Sequence, residues 1–143
     1  MSSASETRLP RRVVWSRYTL FAFAAVFAIG AVGQFFLAGL SVFETPLRWV
    51  THVTFGHIIG LFAALMWVPA LLGRVGRPLL AATVAMVVLM VLQYAFVESG
   101  QQLIQSLHPL NGALLFSLSL WIALRAADAI GAIRQGATAP QVS

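Results

Sequence analysis

Long apolar stretches separated by short polar breaks dominate the chain. Four of them approach or exceed the roughly 20 residues that cross the hydrocarbon core of a bilayer. They cover residues 18–40, 47–72, 78–97 and 107–127. Lipid offers backbone amides no hydrogen-bond partner, so each stretch is predicted to be a helix. The pattern therefore predicts an all-α integral membrane protein, with a four-helix bundle over residues 18–127 between tails of residues 1–17 and 128–143.

The breaks between the stretches contain residues that end and begin helices. Thr45 and Pro46 suit the cap and first turn of the second helix. Residues 73–78, Gly-Arg-Val-Gly-Arg-Pro, predict a tight hairpin between the second and third helices. Pro69 lies inside the second stretch and predicts a kink there. The first stretch is longer than the apolar part of a secretory signal, so we interpret it as a span.

Composition narrows the class of protein. Of the 143 residues, 59% are hydrophobic and 9% are charged, too few charges to cover the surface of a water-soluble domain. The basic residues flank the apolar stretches instead of covering one face, so no nucleic-acid partner is expected. The chain contains no cysteine, which excludes disulfides, iron–sulfur ligation and covalent haem attachment.

The arginines predict how the bundle is oriented. Eight lie on one side of the predicted membrane, and only Arg48 lies on the other; the eight are Arg8, Arg11, Arg12, Arg17, Arg74, Arg77, Arg125 and Arg134. Basic residues concentrate on the cytoplasmic side of membrane proteins. We therefore expect a multi-pass protein of the inner (plasma) membrane with both termini in the cytoplasm.

Polar residues within the spans gather at one level, in the outer half of the predicted bilayer. They are Gln34, His52, His57, Gln93, His108 and Asn111. Buried polar groups in a membrane are costly and require partners. A weak repeat relates the two halves of the chain: a glutamine, a loop, then His-x-x-x-Gly. It predicts two tandem helical hairpins in which His52 and His108 face each other.

Two facing histidines with a glycine one turn below each are typical of a b-type haem site. Haem iron takes an imidazole from each side. Gly56 and Gly112 would leave room for the ring, and Arg48 lies one turn from His52, where it could bind a propionate. The predicted haem site comprises iron ligands His52 and His108, with His57, Arg48, Gly56, Gly112, Gln34 and Gln93 around them. Its expected role is electron transfer or haem sensing.

Alternatives to this site stay open at the level of sequence. His57 lies five residues beyond His52 on another helical face, and either histidine could be the ligand. Three imidazoles could also hold zinc or copper. The histidines and glutamines could instead only hydrogen-bond between helices, as in a non-enzymatic scaffold or accessory subunit of a larger membrane complex. No catalytic residue is assigned, and an enzyme is the less favoured interpretation.

Three segments carry a family resemblance: residues 34–40 (QFFLAGL), the His-x-x-x-Gly-His run at 52–57, and residues 107–112 (LHPLNG). They resemble an uncharacterised family of small four-span bacterial membrane proteins. More distantly, the chain is similar to one four-helix half of haem A synthase, where histidines on the second and fourth helices flank a haem. That resemblance implies His52 or His57, with His108, as ligands. The acidic residue and paired histidine-arginine signature of the catalytic half are missing, so haem modification is not implied.

Overall fold

The computed structural model describes residues 9–138, with side chains to residue 133, and this part of the chain is almost entirely helical. Four segments are long and apolar enough to cross a membrane, which confirms the predicted four-span, all-α fold. The helices are α1 (Arg11–Phe43), α2 (Trp49–Leu65), α3 (Trp67–Leu72), α4 (Arg77–Glu98), α5 (Gln102–Gln105) and α6 (Leu107–Thr138). A 3-10 turn, Pro46–Arg48, precedes α2.

The first and last helices, α1 and α6, extend past the predicted spans. α1 begins at Arg11 instead of residue 18, and its 33 residues make a rod of about 50 Å, against a hydrocarbon core of about 30 Å. Val13, within this extension, is fully buried, so packing holds the added turns. Arg8 lies outside the described residues, as does the side chain of Arg134.

The predicted helix breaks occur where the sequence places them. The Leu47 amide donates to the Thr45 hydroxyl, and Pro46 opens the 3-10 turn. The second span is interrupted at Met66, between α2 and α3. Pro69 explains this interruption, because it has no N–H to donate to the carbonyl of Leu65, the last residue of α2.

The four spans form a closed bundle. Each packs against its neighbours in chain order, and α6 returns to lie along α1. This arrangement puts α2 and α6 on a diagonal. Alanine, methionine and branched aliphatic side chains fill the middle of the bundle. The most deeply buried include Leu20, Ala24, Ala63, Met66, Met86, Ile122 and Ala126. Alanines at helix contacts let the backbones approach closely, which is how membrane helices gain packing energy.

Two glycines of α1 give a matched test of this packing. A Cβ on Gly30 would lie 2.7 Å from Cγ2 of Ile59, a stiff β-branched side chain, whereas nothing lies within 4 Å of a Cβ on Gly39. We expect Gly30→Ala to lower the free energy of unfolding by about 1–2 kcal/mol, since overpacking outweighs the gain in helix propensity.

The control, Gly39→Ala, should leave that free energy unchanged or raise it by up to about 1 kcal/mol. Reversible unfolding in detergent, followed by circular dichroism, measures both. Equal stability of the two variants would contradict the close approach of α1 to α2 at Ile59.

Candidate functional site

The first hairpin joins α1 to α2 through a reciprocal pair of side chains. The Gln34 amide donates to the His52 carbonyl at 2.9 Å, and His52 Nδ1 lies 3.2 Å from the Gln34 carbonyl. A carbonyl oxygen can only accept, so Nδ1 must carry the proton. His52 Nε2 has no hydrogen-bond partner among the described residues. It is left as a lone-pair nitrogen, the form that binds metals.

The second hairpin repeats the same bond between α4 and α6. His108 Nδ1 donates to the Gln93 carbonyl at 3.1 Å, while the Gln93 amide donates to His108 Nε2 at 3.2 Å. Buried Asn111 donates to Gln93 Oε1 at 2.5 Å and to the Leu89 carbonyl at 2.9 Å. Asn111 therefore fixes the Gln93 amide in one orientation. Its place among the polar residues of the spans does not predict this organising role.

One position distinguishes the two hairpins. Asn111 lies three residues after His108, and the residue three after His52 is Phe55. Phe55 has no polar group to offer to the glutamine of its own hairpin. Gln34 Oε1 is accordingly buried without a hydrogen-bond partner in the described part of the chain. The repeat thus has one fully bonded half and one half with two open acceptors, Gln34 Oε1 and His52 Nε2.

The two hairpins bring their histidines together across the diagonal. The ring centroids of His52 and His108 are 6.2 Å apart, with an interplanar angle of 59°. This confirms the prediction, made from the repeat, that the two imidazoles face each other. Trp49 packs its ring edge-on to His52 at 5.2 Å and covers it from one side.

His57 lies away from this pair. Its ring stacks on Tyr94 at 5.3 Å, and its Nδ1 donates to the Val53 carbonyl of its own helix at 2.8 Å. The residue is exposed at the bundle surface, and it bonds to neither Gln34 nor Gln93. No group of three metal-ligating side chains forms within the described residues. The depth of His52 beside His108 therefore favours His52 over His57, and the three-histidine zinc site is not formed.

Glutamine side chains fill the space beside Gly56 and Gly112 that was predicted to hold the haem ring. A Cβ on Gly56 would lie 2.5 Å from Gln34 Nε2, and one on Gly112 would lie 3.4 Å from Gln93 Nε2. The glutamine amides thus occupy the room that the haem hypothesis assigns to the ring. Arg48 pairs with Glu44 at 3.1 Å, both side chains being about half exposed. Of two cavities found among the described residues, neither is lined by a histidine.

Comparison with known proteins finds one family. Residues 34–100 match the model of a family of unknown function (DUF6220). The chain is similar to that family over a region that includes Gln34, His52, Gly56 and Gln93 and ends before His108. No curated protein matches, and no solved structure matches. The similarity to haem A synthase therefore stays a prediction from the sequence alone.

The unequal hairpins give a second prediction. Gln93→Leu should cost about 1–2 kcal/mol more in unfolding free energy than Gln34→Leu, measured on cofactor-free protein in detergent. Removing Gln93 takes one of the two acceptors from the Asn111 amide and the donor from His108 Nε2, whereas removing Gln34 also removes an acceptor that has no partner. If Gln34→Leu proves the more costly change, the assignment of Gln34 Oε1 as unpartnered is wrong.

Proposed function

We propose that the protein binds a b-type haem at its histidine end, with His52 and His108 as axial ligands, and that it transfers electrons. One observation carries the proposal: in both hairpins the imidazole Nδ1 donates to a backbone carbonyl. Metal-ligating histidines almost always donate their second ring nitrogen in this way, which fixes the tautomer and turns Nε2 to the metal. The chain builds this arrangement twice between helices, at one depth, whereas His57 makes the same bond only within its own helix.

The spacing of the rings supports the same pairing. Two imidazoles on opposite sides of one metal ion, with bonds of about 2.0–2.1 Å to nitrogen, have their centroids roughly 6 Å apart. The separation of 6.2 Å between His52 and His108 agrees with that value. The two histidines are on diagonal helices, so a shared ligand would lie on the axis of the bundle.

The number of ligands favours haem over a bare metal ion. Zinc sites in proteins use three or four side chains, and the described residues bring only two imidazoles together. A haem supplies four nitrogens of its own and needs only two axial ligands. Without cysteine the haem would be held non-covalently, as in b-type proteins.

Binding requires side chains at the site to move. The Gln93 amide must leave His108 Nε2, and both glutamine amides must vacate the space beside Gly56 and Gly112. Arg48 can exchange Glu44 for a propionate, because their ion pair is surface-exposed and weak. The hydrogen bonds from His52 Nδ1 and His108 Nδ1 end on the backbone carbonyls of Gln34 and Gln93. They therefore need not break when the glutamine side chains move.

The proposed role follows from the ligands and the charges. Iron with histidines on both axial sides has no open position for a substrate, and that suits electron transfer. Of the seven arginines whose side chains the structure describes, six lie at the end opposite the histidines. The positive-inside rule then supports a plasma-membrane protein with cytoplasmic termini and a haem near the outer face. A redox partner would dock at that face.

A specific observation favours a second candidate, a scaffold or accessory subunit without cofactor. In the second hairpin Gln93 uses both ends of its amide and His108 uses both ring nitrogens, so this half is complete without a ligand. Interhelical hydrogen bonds of this kind stabilise membrane bundles by about 0.6–2 kcal/mol each. On this candidate the histidines hold the hairpins together.

A histidine series separates the two candidates. Protein purified from haem-replete cells should be red, with a reduced-minus-oxidised absorption spectrum of six-coordinate haem. His52→Ala and His108→Ala should each lose that spectrum, and His57→Ala should keep it, because His57 lies on the outside of the bundle.

Three results would count against the haem proposal. Colourless wild-type protein would support the scaffold candidate. Loss of the spectrum in His57→Ala but not in His52→Ala would move the ligand to His57. An unchanged spectrum in His108→Ala would remove α6 from the site altogether.

A further inference from the structure

At the end opposite the histidines, the bundle has an open cavity of about 360 Å³. It lies where the hairpin between α3 and α4 meets α1 and α6. Three arginines line it, Arg17, Arg74 and Arg125, and the one acidic lining residue is Asp128. The remaining wall is largely apolar and includes Leu79 and Trp121. Three guanidinium groups against one carboxylate give the lining of this cavity a net positive charge.

Arg17 is held in place by the end of α3 and by a carbonyl within α6. Its Nε donates to the Gly73 carbonyl at 3.0 Å, and its Nη1 donates to the Ala129 carbonyl at 3.2 Å. Gly73 caps the C-terminus of α3, whose free carbonyls favour a cation. A guanidinium has five N–H donors, and two are used here. The side chain is partly buried and fixed, with donors left for a ligand.

Arg74 occupies a position that normally belongs to glycine. The Arg74 amide donates to the Leu71 carbonyl and the Val75 amide to the Ala70 carbonyl, which together form a Schellman motif at the end of α3. Arg74 itself has φ of 49°, in the left-handed region where side chains cost about 1 kcal/mol or more. No carboxylate pairs with it among the described residues. The chain tolerates local strain and presents an unpaired cation to the cavity.

Arg125 completes the set from α6. It lies over the Trp121 ring, 5.9 Å from the centroid, and its Nη1 is 3.5 Å from Asp128. Both partners of that ion pair are more than half exposed, so water screens it and little stability is lost if Arg125 turns to another anion. Trp121 keeps the guanidinium near the cavity.

We propose that this cavity binds a phosphate-bearing anion, the headgroup phosphate of an anionic lipid. Arginine is the side chain best suited to phosphate, because its fork donates two hydrogen bonds at once. The cavity lies at the end of the membrane spans, where headgroups are, and basic pockets between spans bind such lipids. Val75, Pro78 and Leu79 supply an apolar wall for the attached glycerol and acyl chains. The inference does not depend on the haem proposal.

Native mass spectrometry of the full chain, released from detergent and titrated with lipid, tests the site. Phosphatidylglycerol should bind at least about five-fold more tightly than phosphatidylcholine, whose choline offsets the phosphate charge. Arg74→Gly should lower the affinity for phosphatidylglycerol about five-fold, which is the contribution expected of one arginine near a membrane surface. It should also fold at least as well as wild type, since glycine is favoured at this φ.

Arg77→Gln is the matched control, because Arg77 belongs to the same hairpin but does not line the cavity. The affinity of Arg77→Gln for phosphatidylglycerol should stay within about two-fold of the wild-type value. Equal losses in Arg74→Gly and Arg77→Gln would show diffuse electrostatic attraction and overturn the site. Absence of any preference for phosphatidylglycerol would overturn it as well. Displacement of the lipid by inorganic phosphate at similar concentrations would overturn the lipid assignment in favour of a soluble phosphate.

Discussion

The histidine end depends on one interaction, the hydrogen bond from an imidazole Nδ1 to the backbone carbonyl of a glutamine on the preceding span. Histidine and glutamine are costly in lipid unless they bond to each other or to backbone. That constraint pairs α1 with α2 and α4 with α6, and it sets the height at which each pair meets. It also selects the tautomer, so both Nε2 atoms are left as acceptors. The same bond therefore builds the hairpins and leaves the two nitrogens that the proposed haem would use.

The two hairpins are not equivalent, and the difference is chemical. Asn111 completes the bonds of the second hairpin, whereas Phe55 leaves Gln34 Oε1 and His52 Nε2 without partners. A bundle that used these residues only for stability would gain from a polar group at position 55. The polar chemistry at this end, and the arginine cavity at the other, are separated by a middle packed with alanine and methionine.

Much of this organisation could be predicted from the sequence. Span number, hairpin breaks and the pairing of His52 with His108 follow from apolar length, proline position and the spacing of a repeat. The rotation of each helix could not be predicted, because the spans are apolar all round and carry little pattern to orient them. That is why His57, only five residues from His52, faces outward onto Tyr94. The positions of long flexible side chains could not be predicted either. Arg48 pairs with Glu44, and the glutamine amides fill the space beside Gly56 and Gly112.

The proposed haem would place one iron between His52 and His108 of a single chain. Electron paramagnetic resonance of the oxidised, purified protein tests this arrangement, because the signal reports both imidazole ligands at once. We expect a low-spin ferric signal of bis-imidazole type, with one haem per chain. A high-spin signal, or a preparation with no haem at all from haem-replete cells, would contradict it.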